Sequence, residues 1–225
     1  PRGNGPVNFS RIFSLARYTF LGNLRSRVFL VLILFGAMLL AAALLLSLLG
    51  QEQEIRILSD LGLASVEVLS LFTAIFLIVN LILEQIEQKT IYLLLTRSLT
   101  RAEYLMGSFF GTIFAVLVCV LAMTGLNVLV LLLKGWEIQK EGLFYFAQVA
   151  LSFEKIVLIS AIGLFFSLFS SSGVVALVFT FFVWTCGHFV QELRFLGEKL
   201  TEPILKMAVK AIYFILPHFQ FLNAR

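Results

Sequence analysis

The stretch VFLVLILFGAMLLAAALLLSLL, Val28 to Leu49, decides the fold class. It carries no charge, and Ser47 is its only side-chain hydroxyl. A helix rising 1.5 Å per residue over it reaches about 33 Å, enough to cross a hydrocarbon core of roughly 30 Å. The rest of the chain agrees. Hydrophobic residues make up 60% of its 225 residues and charged ones 13%, where soluble domains sit near about half and a quarter. A water-soluble fold of this length leaves too much chain outside one core to hide that excess, and lipid removes the need to. The expected class is an all-α polytopic membrane protein.

Upstream of this span stand Arg2, Arg11, Arg17, Arg25 and Arg27 with no acidic residue. They lead straight into an apolar run, which marks a cytoplasmic flank and puts the N-terminus in the cytoplasm. Nucleic-acid binding would instead interleave basic, polar and aromatic groups on a soluble face, so it is not the reading. Between Asn8 and Arg27, Phe9, Ile12, Phe13, Ala16, Phe20 and Leu24 recur at three- and four-residue steps, while Arg11, Tyr18 and Arg25 recur at seven. This predicts an N-terminal amphipathic helix lying in the membrane interface, with Arg11, Arg17, Arg25 and Arg27 as its basic residues. Residues 1–7 read as a tail or an expression remnant.

Downstream, Gly50–Ser65 carries Glu52, Glu54, Arg56 and Asp60 and reads as a polar connector. Further spans are expected at about 66–83, 106–133, 154–169 and 174–190, with Glu67 at the mouth of the second. Lys134–Glu141 reads as a loop and Gly142–Phe153 as an interfacial stretch. Ser170-Ser171-Ser172-Gly173 breaks the uncharged run Ile156–Gln191 into two spans joined by a hairpin. Residues 191–216 are amphipathic again and interrupted by Pro203, which reads as an external region. Five crossings follow. They put 84–103 and the serine hairpin on the cytoplasmic side and the other connections outside, in keeping with most of the Lys/Arg distribution.

Catalytic signatures are missing from this sequence. There is no GxxxxGK[ST], GxSxG or HExxH, so the chain does not read as an enzyme and no cofactor or metal is expected in it. Cys119, Cys186, His188 and His218 read as packing residues. No ionisable residue is placed well inside a span, which gives a proton- or ion-coupled pump little support. Asn80, Thr124, Asn127, Ser160, Thr180 and Thr185 are expected to hydrogen-bond between helices. Gly107-x-x-x-Gly111 is a close-packing pattern.

The segment between the second and third spans holds more information. Glu84, Glu87, Lys89, Arg97, Arg101 and Glu103 are mixed with Ile86, Ile91, Leu94 and Leu95 at helical spacing. A solvated loop needs no apolar ridge, so the pattern reads as a short helix that docks a cytoplasmic partner. Glu87-x-x-Thr90-Ile91-x-x-Leu94-Leu95-x-Arg97-x-x-x-Arg101-x-x-Tyr104-Leu105-x-Gly107 resembles the corresponding segment of ABC-2 type transporter permeases. Ala16-Arg17-Tyr18-Thr19-Phe20, followed by Leu24-Arg25-Ser26-Arg27, resembles their N-terminal interfacial helix, and the order of spans matches over nearly the whole chain. Leu99 and Ser108 stand where the family often has Pro and Lys.

The resemblance implies a half-transporter of a bacterial inner (plasma) membrane. Two permease copies or homologues would pair, each docking a separate cytoplasmic ABC ATPase that carries ATP and Mg. Glu84, Glu87, Thr90, Tyr92, Arg97 and Arg101 would lie at or near that contact, with the serine hairpin as a minor second one. The family has six spans, so a sixth is expected beyond Arg225. The alternative is a membrane anchor or scaffold that recruits a cytoplasmic partner without transporting anything; it accounts for the docking segment equally well, and a lack of mid-membrane charge would favour it.

Overall fold

The structure, a computed structural model, describes residues 9–47, 53–87, 100–170 and 172–189. Among them are six helices and no strand: α1 (Phe9–Leu24), α2 (Arg27–Ser47), α3 (Glu54–Glu87), α4 (Arg101–Leu133), α5 (Ile138–Phe169) and α6 (Gly173–His188). Four apolar stretches are long enough to cross a membrane, namely Phe29–Ser47, Glu54–Val79, Ala102–Leu133 and Gly142–Phe169. Helix α6 is apolar but has 16 residues, about 24 Å, short of a hydrocarbon core. The region 191–216 and His218 lie outside the described residues.

Two boundaries differ from the sequence expectation. The supposed connector Gly50–Ser65 is helical from Glu54 onward, continuous with the second span through Glu87. The supposed loop and interfacial stretch before the fourth span are mostly the first half of α5, which runs unbroken from Ile138. In each case a charge in the sequence looked like a membrane boundary, but the backbone hydrogen bonds of the helix continue through it.

Local signals place the ends. The Ser26 hydroxyl accepts from the Phe29 amide at 3.1 Å and starts α2. Thr100 caps α4, accepting from the Glu103 amide while the Glu103 carboxylate accepts from the Thr100 amide at 2.8 Å, a reciprocal capping box. The other end of α4 closes on Gly135 at φ 86°, a left-handed conformation glycine adopts freely. There the Gly135 amide donates to the Leu132 carbonyl and Trp136 to Leu131, folding Trp136 back onto buried Leu131. At the hairpin between α5 and α6, the Ser170 hydroxyl donates to the Ser172 carbonyl at 2.7 Å and accepts from its amide.

Helix α3 is the centre: 67% of its apolar stretch is buried, against 22% for α2 and 39% for α4. It runs antiparallel to α4, since Glu54 pairs with Lys134 while Gly62 abuts Asn127. It runs parallel to α5, where Glu67 meets Lys155 and Gly163 approaches Ile78. Helices α5 and α6 pack as a hairpin through stacked Phe166 and Phe179, centroids 5.7 Å apart. Large apolar side chains line the outside, among them Leu30, Leu34, Leu45, Phe114, Leu129 and Phe165. That is the reverse of a water-soluble surface and suits contact with lipid chains.

Candidate functional site

Polar chemistry concentrates in two places. At one end of the bundle the fold gathers α1, the end of α3 at Glu87, the capped start of α4 and the serine hairpin. Helix α1 lies along the first turns of α4. A Cβ on Gly107 would come 2.8 Å from Leu15, and one on Gly111 would come 2.5 Å from the Ala16 carbonyl. The GxxxG pattern of α4 is therefore the seat of α1, and Asn23 bonds Thr112 across it at 3.1 Å. The buried stripe of α1 is Ala16, Thr19 and Asn23, while Phe9 and Phe13 remain exposed. Helix α1 thus packs on protein through small and polar groups, not through the whole apolar face read from its periodicity.

Of the residues expected at this end, Arg11, Arg17, Arg25 and Arg27 are exposed. Glu84 and Glu87 lie in the last turn of α3 and Arg101 opens α4, each described through its backbone alone. Thr90, Tyr92 and Arg97 lie outside the described residues.

The second place was not expected. On α5, Tyr145, Gln148, Ser152 and Lys155 follow at steps of three, four and three, so they form one stripe on a single face. The Lys155 ammonium lies 3.0 Å from the Glu67 carboxylate of α3, with side chains 4% and 15% exposed. Ser152 donates to the second Glu67 oxygen at 3.4 Å. Two turns or more up the stripe, Asn127 of α4 donates to the Tyr145 hydroxyl at 2.9 Å. Tyr145 is held edge-on by Trp136, centroids 5.3 Å apart. Above these, Lys134 and Glu54 pair at 3.0 Å, and a cavity of about 920 Å³ opens among Glu54, Asp60, Leu63, Lys134, Tyr145 and Gln148.

This corrects the expectation that no ionisable group stands well inside a span. Glu67 is not at a mouth, and Lys155 is not at the start of its span. Each lies near the middle of its apolar stretch, Glu54–Val79 and Gly142–Phe169. An independent marker agrees: Leu69, half a turn from Glu67, touches Gly36 in the middle of Phe29–Ser47. Ionisable groups at such depth are rare and functional by default, and they persist by facing the bundle interior and pairing. Lys155 does both, whereas its neighbour Glu154 is exposed.

The other polar residues divide differently from expectation. Asn127 does bridge two helices, but Ser160, Thr180 and Thr185 donate to carbonyls of their own helices. Thr124 makes no hydrogen bond, and the Asn80 side chain lies outside the described residues. His188 stacks on Trp184, and Cys119 is buried 4.0 Å from the Thr73 hydroxyl. Among the described residues, no three His, Cys, Asp or Glu side chains come together as a metal site.

No protein-family model matches the chain, and no curated protein sequence matches it.

Proposed function

We propose that this chain is the transmembrane permease subunit of an ABC-2 type transporter. It pairs with a second copy or homologue and couples ATP hydrolysis on a separate cytoplasmic ATPase to substrate export or extrusion. The observation that carries the reading is the gathering of α1, the end of α3, the start of α4 and the serine hairpin at one end of the bundle. The resemblance to this family lies in Glu87–Gly107 and Ala16–Arg27, whose described parts belong to this end, and it implies a minor second contact at the serine hairpin. ATP and Mg belong to the partner; this chain supplies helices whose packing has two states, biased by the ATPase.

In this reading α1 lies in the cytoplasmic interface with Phe9 and Phe13 toward lipid and Arg11, Arg17, Arg25 and Arg27 toward headgroups. Helix α6 belongs to the fifth crossing, and the protein sits in a bacterial inner membrane. Exposed Glu154 supports pairing, because a carboxylate at that depth is costly against lipid and tolerable against water or protein. The scaffold alternative accounts for the docking segment equally well, and the Glu67–Lys155 pair takes away the lack of mid-membrane charge that favoured it.

Affinity purification of the tagged chain from its native membrane tests the proposal. An ATPase should co-purify, and its turnover should fall in Glu87→Lys and Arg97→Glu. If no ATPase accompanies the wild-type chain, the permease reading fails.

A further inference from the structure

The cavity between α3, α4 and α5 ends in a way that calls for water. Its floor is formed by Leu63 and Gln148, each one helical turn above a member of the cluster below: Leu63 above Glu67, and Gln148 above Ser152. At this level two buried polar atoms have no hydrogen-bond partner, the Asn127 side-chain oxygen and the Gln148 side-chain nitrogen. Asn127 is 1% exposed and its amide nitrogen is already committed to Tyr145. A buried amide oxygen left unpaired costs free energy comparable to a lost hydrogen bond, and the usual remedy is ordered water where polar partners converge. Here the partners do converge, because Tyr145, Gln148 and Ser152 share one face of α5.

We infer that the cavity continues as a hydrated half-channel from the end of the bundle opposite α1 down to the Glu67–Lys155 pair. Three observations meet in it: the polar stripe of α5, the unpaired Gln148 amide nitrogen in the cavity lining, and a buried ion pair one turn beneath. Water reaching Glu67 and Lys155 replaces part of the solvation that two charges lose in an apolar bundle, which makes such a pair tolerable at mid-depth. The lining carries both signs, with Glu54, Asp60 and Glu137 beside Arg56 and Lys134, and the Glu54 and Glu67 carboxylates each have a lysine at 3.0 Å. The channel's occupant is water. Beyond the ion pair Ile78, Ile156 and Ile159 are buried beside Ser70, Thr73 and Ser160, and the channel is inferred only as far as the pair. The inference rests on three packed helices in a membrane, independently of the permease reading.

Single cysteines test it in the full chain in native membranes, in a Cys119→Ala, Cys186→Ala background. Membrane-impermeant thiol reagents, one cationic and one anionic, are added on one side at a time. Ser59→Cys at the cavity mouth is the accessible control. Leu158→Cys is the lipid-facing control, exposed on the bare protein but out of reach of water in a bilayer. Gln148→Cys and Ser152→Cys are expected to label with at least one of the two reagents, from the same side as Ser59→Cys and from that side only, while Leu158→Cys stays unlabelled. Size-exclusion profiles identify variants that fold. If Ser59→Cys labels while folded Gln148→Cys and Ser152→Cys stay as silent as Leu158→Cys, the column is dry and the inference falls. Labelling that reaches Gln148→Cys but not Ser152→Cys overturns the continuation to the ion pair.

Discussion

Glu54–Lys134 and Glu67–Lys155 have the same length, 3.0 Å, and each ties α3 to a neighbour, yet their surroundings differ. The first sits at the cavity mouth with about a third of each side chain exposed, and the second lies about three and a half turns further along α3 with its lysine 4% exposed. An exposed ion pair trades water for a partner of similar worth and contributes about 0–1 kcal/mol. A buried one has no water to return to, so removing one partner strands a charge at a cost of about 3–5 kcal/mol. Burial, and not bond length, decides which pair the fold depends on.

The largest effect is therefore expected at the deep pair. Lys155→Met or Glu67→Leu alone should lower stability by about 3–5 kcal/mol, read as a fall in the thermal midpoint of the purified protein in micelles. The double substitution, which leaves no charge behind, should recover most of that loss, because apolar side chains can replace a buried pair with little cost. Next in size is a position in neither pair. Gly111→Ala puts a Cβ 2.5 Å from the Ala16 carbonyl, and overpacking of that kind costs about 1–3 kcal/mol. It should appear as faster hydrogen exchange in α1 with the rest of the bundle protected; unchanged exchange would place α1 elsewhere. The smallest effect is at the mouth, where Lys134→Ala should cost no more than about 1 kcal/mol. A loss there as large as that of Lys155→Met would erase the contrast between the pairs.

The same contrast explains what could be read in the sequence. Val28–Leu49 announced a membrane helix because it has no charge, and α2 runs from Arg27 to Ser47. Ser170–Gly173 announced a turn because serines and glycine compete for backbone hydrogen bonds, and the Ser170 hydroxyl bonds Ser172 there. Glu67 and Lys155 were misjudged for the opposite reason. A run of charges, Glu54, Arg56, Asp60 and Glu67, looks like an aqueous connector when each is taken alone as a marker of water. Taken as positions on a helix, Asp60, Leu63, Glu67 and Ser70 recur at steps of three and four, as do Tyr145, Gln148, Ser152 and Lys155. Two polar stripes of opposite charge, one on each helix, are the signal that was present. What one sequence cannot supply is that the stripes face each other, since that depends on how α3 and α5 pack. Gly107-x-x-x-Gly111 was likewise legible as a close contact without its partner, which proved to be α1.

A charge swap tests most directly the claim that a paired acid and base lie buried within this bundle. Glu67→Lys and Lys155→Glu, made singly and then together, are compared by thermal midpoint in micelles. Each single variant sets like charges against each other and should unfold well below wild type, while the double variant restores an opposite pair and should return most of the way. A double variant as unstable as the two singles added together would mean that Glu67 and Lys155 do not meet, and the account of the bundle would be wrong.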